Sequence, residues 1–290
     1  MSHGLILIRG GGDLASGVAY RLFRAGLKVV LVETQRPTVV RRTVSFAQAA
    51  YDDITEVEGI TCQKVSYEET TNLDTTYKDA DAVDLDSVYD NSIYGEVYQV
   101  IDRGQIPLLI DPKLKSLTGL KPDVLIEATI TKKNTGITKD MANTVIALGP
   151  GYKAGEDVDC VIETSRGHYL GRVIYEGQAK PNTGVPGNID GYTTERLLRA
   201  PCKGEFRSKL IIGDIVKEGE IVGYVDDTPV EAGIDGMIRG LLQNGLRVKE
   251  NMKLGDIDPR KNIDHCYTIS DKALAVAGGA LEAVLANSSK

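Results

Sequence analysis

Tryptophan is absent from the 290-residue chain, and cysteine and histidine are scarce, with four and three copies. The cysteines are scattered and form no Cys-x-x-Cys pair, which excludes a disulfide framework and a zinc site of the usual cysteine spacing. His-x-His and His-Glu-x-x-His motifs are also missing, so the sequence predicts no protein-bound metal site. Scattered thiols are typical of a reduced, cytoplasmic protein.

Long apolar runs and an excess of positive charge are lacking too. The first apolar run, Leu5–Ile8, is too short for the core of a signal peptide, and no other run approaches a membrane span. The net charge of −7 does not favour binding to nucleic acid or to an anionic membrane. We therefore expect a cytoplasmic protein that binds neither.

The first half of the chain alternates short apolar runs with segments of helical spacing, such as Leu14–Ala25, Val39–Tyr51 and Val88–Arg103. Continuous apolar runs indicate strands that are covered on both faces. The predicted strands are Leu5–Ile8, Val29–Val32, Ile106–Ile110, Val124–Glu127 and Val145–Leu148. This alternation predicts an α/β domain with a doubly wound, Rossmann-like parallel sheet, in which the acidic stretch Thr70–Asp90 forms an exposed loop.

The second half contains an internal repeat. Ala200–Asp226 aligns without a gap to Ala232–Asp258, and ten of the 27 positions are identical. Neither copy is large enough to bury an apolar face alone, so the two must close on each other. Each copy resembles one half of a biotinyl/lipoyl-type hammerhead barrel, but the turn that joins them holds Pro229 and no lysine. We expect a small β-rich barrel without a carrier lysine, used for structure or docking.

Four segments follow from this organisation. They are a Rossmann-like nucleotide-binding domain (1–152), a β-rich connecting segment (153–198), the duplicated barrel module (199–262) and a C-terminal helix that packs back on the α/β domain (263–290).

A glycine loop joins the first predicted strand to the first predicted helix. Gly10, Gly12 and Ala15 fit the pattern Gly-x-Gly-x-x-Ala, in which bare backbone permits a positive φ and the close approach of a pyrophosphate. Glu33 ends the next strand, where a ribose-binding carboxylate would lie. The pattern favours a bound nucleotide, and a glycine turn used only for packing is the alternative.

Charged residues and two further loops complete the predicted cofactor site. Asp13 would cap the helix but repel a phosphate, and Arg9 would offset it. Loops at Ala128–Gly136 and Leu148–Gly151 follow strand ends, where ligands bind in open α/β sheets. The candidate cofactor-binding residues are Arg9, Gly10, Gly11, Gly12, Asp13, Glu33, Lys132, Asn134, Gly149 and Gly151. Beyond Glu33, Arg36, Arg41 and Arg42 form either an anion clamp or a solvated helix start.

The densest polar cluster in the sequence holds the candidate catalytic residues Glu163, Arg166 and His168. A histidine between a carboxylate and a guanidinium can act as a general acid or base near neutral pH. A salt-bridged structural hairpin is the alternative explanation for this cluster.

Several long segments also carry a family resemblance. They are, in chain order, IRGGGDLASGVAYRLFRAGLKVVLVE, RRTVSFAQA, IDPK, LGPGY, ETSRGHYLGRVIY, PNTGVPG, RAPCKGEF, GLLQNGLRVKENMKLGDIDPR and ISDKA. Together they resemble the YqeB-type accessory proteins of the selenium-dependent molybdenum hydroxylase system. The N-terminal part is also similar to the Rossmann domain of XdhC-type proteins, which help to mature xanthine dehydrogenase, with Asp13 where those proteins tend to have histidine.

The resemblance implies a maturation factor for selenium-dependent molybdenum hydroxylases, with the client enzyme or other maturation factors as partners. The glycine loop would then hold a nucleotide-bearing cofactor, either a molybdopterin dinucleotide or NAD(P). An NAD(P)-dependent oxidoreductase that uses His168 and a non-catalytic scaffold with an empty glycine loop are the alternatives. The sequence is compatible with a homo-oligomer.

Overall fold

The computed structural model describes residues 4–65 and 91–287, and the predicted acidic loop Thr70–Asp90 lies outside these residues. The described strands form one sheet of nine strands and two sheets of four. The strands of the large sheet are β1 Ile6–Arg9, β2 Val29–Glu33, β3 Ile54–Val57, β4 Ile60–Val65, β5 Ile106–Ile110, β6 Val124–Glu127, β7 Thr144–Leu148, β8 Cys160–Ile162 and β9 Val173–Ile174. The strands of the small sheets are β10 Leu197–Arg199, β11 Gly204–Arg207, β12 Ile215–Val216, β13 Ile221–Val225, β14 Thr228–Glu231, β15 Gly236–Leu241, β16 Leu246–Val248 and β17 Lys253–Asp258. The α-helices are α1 Asp13–Arg24, α2 Ala49–Asp52, α3 Asn91–Asp102, α4 Leu117–Leu120, α5 Asp264–Tyr267 and α6 Asp271–Asn287.

The apolar runs of the first half are strands, as their composition predicts. Alternate residues of each run face opposite sides of the sheet, so Ile6 and Ile8 lie in one hydrophobic cluster while Leu5 and Leu7 lie in another. The first cluster is covered by α1 and α6, and the second by α3. Burial on both faces explains why these strands show no polar alternation.

The large sheet is mixed, so the predicted doubly wound parallel sheet is wrong. Its order is β3-β4-β5-β2-β1-β6-β7-β8-β9, and the two edge strands, β3 and β9, run antiparallel to their neighbours. In addition, no helix crosses over between β6 and β7 or between β7 and β8. The first of these connections, residues 128–143, is largely polar and exposed, and it therefore lacks the apolar face that a crossover helix needs.

The C-terminal helix α6 takes the place of the missing crossover helices. It packs along α1 and against β7, β8 and β9. Two glycines allow this close approach, because a Cβ atom at Gly279 would lie 2.0 Å from the carbonyl oxygen of Gly171, and one at Gly17 would lie 2.9 Å from Cβ of Ala273. None of the helices within the described residues combines the length and the apolar content that crossing a bilayer requires.

The predicted helix Val39–Tyr51 is broken into two 3-10 turns, Arg42–Val44 and Phe46–Gln48, followed by the short α2. Ser45 between the turns is extended (φ −131°), and its hydroxyl donates to the carbonyl oxygen of Arg41. The backbone amide of Phe46 donates to the hydroxyl of Ser16 on α1. These side-chain hydrogen bonds compete with the helical ladder, which accounts for the break.

Both small sheets combine strands from the two copies of the repeat, and we call residues 197–258 the interlocked-sheet module. The sheet orders are β10-β17-β15-β12 and β14-β13-β11-β16. The short β12 of the first copy pairs with β15 of the second, and β16 of the second copy pairs with β11 of the first. The predicted biotinyl/lipoyl-like barrel is wrong, because the strands form two separate open sheets, with β10 and β12 as the edges of one and β14 and β16 as the edges of the other.

A buried ionic cluster lies at the end of this module. Asp256 is 3.3 Å from Arg196 and 3.1 Å from Lys253, and Asp258 is 2.6 Å from Arg260. Burial alone would raise the pKa of Asp258, but the hydrogen bonds from Arg260 outweigh it and lower that pKa to about 2. The Asp258 carboxylate therefore stays ionised and paired in the folded protein.

We expect Gly279→Ala to destabilise the protein by about 1–3 kcal/mol, because the added methyl group would collide with the carbonyl oxygen of Gly171. Gly278→Ala is the matched control, since its Cβ would meet only the end of the Arg21 side chain, at 3.9 Å. That variant should be stabilised by about 0.5–1 kcal/mol, the ordinary preference of a helix for alanine over glycine. Urea unfolding measures both effects, and equal effects in the two variants would contradict the close contact between α6 and Gly171.

Asp258 should make stability depend on pH in the acid range. Its folded-state pKa of about 2 lies below the reference value of 3.8, so its contribution is present above pH 3.8 and is lost as the pH falls toward 2. We expect Asp258→Asn to be less stable than the parent protein at neutral pH, with a difference that narrows on acidification. Urea unfolding as a function of pH tests this, with the exposed Asp227→Asn as control. A difference that does not change with pH would contradict it.

Candidate functional site

A cleft of about 1010 Å³ opens at the carboxyl ends of β1, β2 and β6, where the glycine loop Gly10–Asp13 leads into α1. Gly10 has a φ of +99°, and its amide donates to the carbonyl oxygen of Val32. Gly12 caps α1 through its backbone and lines the cleft. Lys253 of the interlocked-sheet module contributes to the lining as well.

Glu33 binds the backbone of the glycine loop through the amide of Gly11. One carboxylate oxygen accepts the amide of Gly11 at 2.8 Å, and the other accepts the amide of Thr34 at 2.7 Å. The carbonyl oxygen of Gly11 in turn accepts the amide of Ala47. The amide of Gly11 is thus bonded to a carboxylate of the chain itself.

Arg9 joins three loops at the floor of the cleft. Its guanidinium lies 3.0 Å from the buried carboxylate of Glu127 and donates to the hydroxyl of Thr135 at 2.7 Å and to the carbonyl oxygen of Pro112 at 3.0 Å. Burial raises the pKa of Tyr152, whose phenol lies 3.1 Å from the same hydroxyl of Thr135. This network fixes the shape of the floor.

Two of the arginines that follow β2 bind the interlocked-sheet module, and Arg41 binds the helix α5 that follows the module. Arg36 donates to the carbonyl oxygen of Gly245 at 2.7 Å, Arg42 donates to that of Leu241 at 2.7 Å, and Arg41 donates to that of His265 at 3.0 Å. Arg36 and Arg41 also line the cleft. These residues therefore form a docking contact, which neither of the two explanations drawn from the sequence anticipated.

A second cavity of about 560 Å³ adjoins the cleft and shares Ile130, Lys132 and Lys253 with it. We call it the lysine–arginine pocket after its six cationic lining residues. They are Lys132, Arg166, Lys180, Arg196, Lys253 and Lys272. None of its described lining residues is Asp or Glu.

The predicted catalytic residues do not line the cleft beside the glycine loop, and their role stays a prediction. Glu163 is buried and accepts the amides of Ser165 and Lys180 at 2.7 and 2.9 Å. Arg166 pairs with Asp271 at 2.9 Å and lines the lysine–arginine pocket. His168 is exposed, and its ring meets the edge of Tyr169.

The remaining predicted residues divide between the cleft and its supporting loops. Lys132 and Asp13 line the cleft, whereas Asn134 closes a turn by accepting the amides of Gly136 and Ile137. Gly149 and Gly151 have positive φ angles of 75° and 115°. A Cβ at Gly151 would lie 2.4 Å from the amide nitrogen of Lys133, so this glycine lets two loops pack together.

The sequence analysis missed Lys180, Arg196, Lys253 and Lys272. Lys253 and Arg196 belong to the β-rich half, and Lys272 lies at the start of α6. Lys253 and Lys272 lie in segments that carry the family resemblance, as does PNTGVPG, which forms one wall of the pocket as residues 181–187, but the sequence did not mark any of them as site residues. In residues 4–65 and 91–287, no three His, Cys, Asp or Glu side chains converge in a way that could hold a metal ion.

We expect Gly11→Ser to destabilise the protein by about 1–3 kcal/mol, because its Cβ would lie 2.8 Å from the backbone nitrogen of Ala47. Gly12→Ser is the matched control. Its Cβ would meet only Val39, at 3.5 Å, and a serine at this position can cap α1, so its stability should stay within about 0.5 kcal/mol of the parent. Thermal unfolding of the two variants tests this prediction. A Gly11→Ser variant as stable as the parent protein would contradict the close contact between Gly11 and Ala47.

The solved structures that resemble this chain do so at low similarity, and three of them serve as examples. An aspartoacylase family protein from Mesorhizobium loti is 10% identical, and the match covers 88% of this chain and 85% of that chain with a TM-score of 0.26. A succinylglutamate desuccinylase/aspartoacylase from Rhodobacter sphaeroides is 13% identical, and the match covers 88% of this chain and 86% of that chain with a TM-score of 0.24. The ectoine utilization protein EutE of Ruegeria pomeroyi is 10% identical, and the match covers 88% of this chain and 85% of that chain with a TM-score of 0.24. At these TM-scores the likeness carries none of those activities over to this chain.

The geometry of the glycine loop corrects the predicted function and cofactor. In the structure, the amide of Gly11 is bonded to Glu33. The predicted role in selenium-dependent molybdenum hydroxylase maturation, the nucleotide-type cofactor (molybdopterin or NAD(P)) and the NAD(P)-dependent alternative are therefore wrong.

No protein-family model matches the chain. The chain is 44% identical over 283 residues to YqeB of Escherichia coli (strain K12), a protein described as uncharacterized. The match covers 98% of this chain and 48% of that protein, so the chain spans about half the length of the curated relative that it matches. The similarity to YqeB that the sequence motifs indicate is thereby confirmed over nearly the whole chain.

Proposed function

We propose that the cleft binds a small hydroxy- or amino-carboxylic acid. The observation that carries the proposal is the charge of the lining, which holds five cationic side chains and only two carboxylates in a protein whose net charge is −7. The cationic residues are Arg9, Arg36, Arg41, Lys132 and Lys253, and the carboxylates belong to Asp13 and Glu33. A positively charged cleft in a negatively charged protein raises the local concentration of anionic ligands.

The two carboxylates make the ligand class more specific. Asp13 lies at the start of α1, and Glu33 ends β2 directly below the glycine loop. They would repel a multiply charged phosphate more strongly than a carboxylate. Asp13 also supplies an acceptor for a hydroxyl or ammonium group, while guanidinium and ammonium groups elsewhere in the lining suit carboxylate oxygens. A ligand with both kinds of group fits this lining.

Backbone conformation at the mouth of the cleft supports a binding role. Ile130 and Lys132 have φ angles of +54° and +64°, and both residues line the cleft. A β-branched residue in the left-handed region is a genuine outlier, and such strain collects at functional sites. The size of the cleft, about 1010 Å³, is at the upper end of small-molecule sites.

The other predictions made from the sequence do not enter this proposal. The catalytic role of Glu163, Arg166 and His168, the four domain boundaries, the predicted partners, the homo-oligomer and the cytoplasmic location all stay predictions.

Calorimetric titration with malate, citrate and glutamate tests the proposal. We expect at least one of these acids to bind the parent protein and Gly12→Leu to weaken that binding by about tenfold or more, because the new side chain occupies the cleft next to the loop. Lys132→Met should weaken it severalfold. The exposed Lys209→Met removes a lysine from the module surface outside the cleft and should leave the affinity unchanged.

Two results would overturn the proposal. One is the absence of binding by all three acids at concentrations up to about 10 mM, a range in which even weak sites are detected. The other is equal binding by the parent protein and a folded Gly12→Leu variant.

A further inference from the structure

We propose that the lysine–arginine pocket binds a tetrahedral oxyanion, either inorganic phosphate or sulfate or the same group as the monoester of a small molecule. The pocket is lined by eighteen residues, of which six are cationic and none is acidic. The whole chain, by contrast, has 41 acidic and 34 basic residues. This site adjoins the proposed carboxylic-acid cleft but does not rest on it.

The carboxylates near the pocket neutralise only part of its charge. Arg196 and Lys253 share the single buried carboxylate of Asp256, at 3.3 and 3.1 Å. Arg166 pairs with Asp271 on the surface. Because one carboxylate serves two cations, these pairs leave an excess of positive charge even before the three lysines are considered.

Lys132, Lys180 and Lys272 have no carboxylate within ion-pair distance among the described residues. The ammonium of Lys180 lies 5.2 Å from the ring centre of Tyr169, and that of Lys132 lies 3.1 Å from the side-chain amide of Asn182. Lys272 is partly buried at the start of α6, and loss of hydration lowers its pKa, although the nearby carboxylates of Asp13, Glu163 and Asp271 oppose that shift. Three ammonium groups that face one cavity repel each other, and a multiply charged anion removes that repulsion.

Neutral donors and one buried guanidinium complete the site. Thr164, Ser165 and Thr183 bring hydroxyl groups to the lining, which can donate to oxyanion oxygens. Arg196 is only 7% exposed, and its Nε has no hydrogen-bond partner among the described residues. A buried donor without an acceptor is costly, and an oxyanion in this pocket would bring acceptor oxygens to the residues around it.

The chemistry of the donors favours a compact, highly charged ligand. A lysine ammonium group acts as a point charge and binds phosphate without a fixed orientation. The planar guanidinium of arginine, in contrast, has to be aligned with a carboxylate to bind it well. With about 560 Å³, the pocket has room for a phosphate or sulfate together with a small organic group. The lining therefore accepts both the free ion and a monoester.

Calorimetric titration of the full chain with sodium phosphate and with sodium sulfate, at constant ionic strength set by sodium chloride, tests the proposal. We expect saturable binding in the parent protein and an affinity lowered by about tenfold or more in the double variant Lys180→Met, Lys272→Met. Methionine keeps the apolar part of the lysine side chain, which protects the packing of α6. The single variant Lys180→Met, at an exposed position, should bind the anion severalfold more weakly than the parent protein. It replaces the double variant in the test if the double variant does not fold.

Two controls separate this site from general charge effects and from the cleft. Lys209→Met, an exposed lysine outside the pocket, should bind phosphate as the parent does. Gly12→Leu, which blocks the cleft, should also bind phosphate as the parent does, so failure of one proposal is distinguishable from failure of the other. A comparison of glycerol 3-phosphate with inorganic phosphate then separates a monoester from the free ion, and tighter binding of either one supports the pocket.

The proposal is overturned if neither phosphate nor sulfate gives saturable binding at constant ionic strength. It is also overturned if Lys209→Met weakens binding as much as Lys180→Met does, because the effect would then come from overall charge.

Discussion

Both cavities depend on the hydrogen bonds by which the segment after β2 holds the interlocked-sheet module. Arg36 and Arg42 donate to carbonyl oxygens of the module, and the amide of Leu241 donates back to the carbonyl oxygen of Val40 at 2.7 Å. These bonds fix the module above the carboxyl edge of the large sheet. As a result Lys253, which belongs to the module, lines cavities whose other residues come largely from the sheet loops and the α6 terminus.

The charge of the cavities follows from where the carboxylates are used. Glu33 accepts the amides of Gly11 and Thr34, Glu163 accepts those of Ser165 and Lys180, and Asp111 accepts those of Lys115 and Ser116. Carboxylates bonded to backbone amides stabilise loops but contribute little to ligand binding. The lysines whose charge they do not neutralise then determine the potential in the cavities of an acidic protein.

Local features of the fold could be predicted from the sequence, and long-range ones could not. The buried strands are visible as continuous apolar runs, and the repeat is visible as identity at a fixed offset. The mixed sheet was missed because its antiparallel edge strands, β3 and β9, are short and carry no continuous buried run. The break at Ser45 was missed because it depends on the hydrogen bond from the amide of Phe46 to the hydroxyl of Ser16. Propensity carries no information about such partners.

The residues of the candidate site also fall into a group that the sequence reveals and a group that it does not. The glycine loop, Glu33 and Lys132 were found because they follow strand ends, a position that the pattern of runs reveals. Arg196, Lys253 and Lys272 were not, because they come from three separate segments that meet only in the folded chain. The docking role of Arg36, Arg41 and Arg42 was missed for the same reason, since their acceptors lie about 200 residues away.

The exchange of β12 and β16 between the repeat copies has a consequence for how the protein is made. During translation the ribosome releases the first copy before the strands that complete its sheet exist. Neither sheet can close until β16 and β17 have emerged, so the nascent first copy exposes unpaired strand edges for that interval. Unpaired strand edges of this kind are sites where other nascent chains can pair.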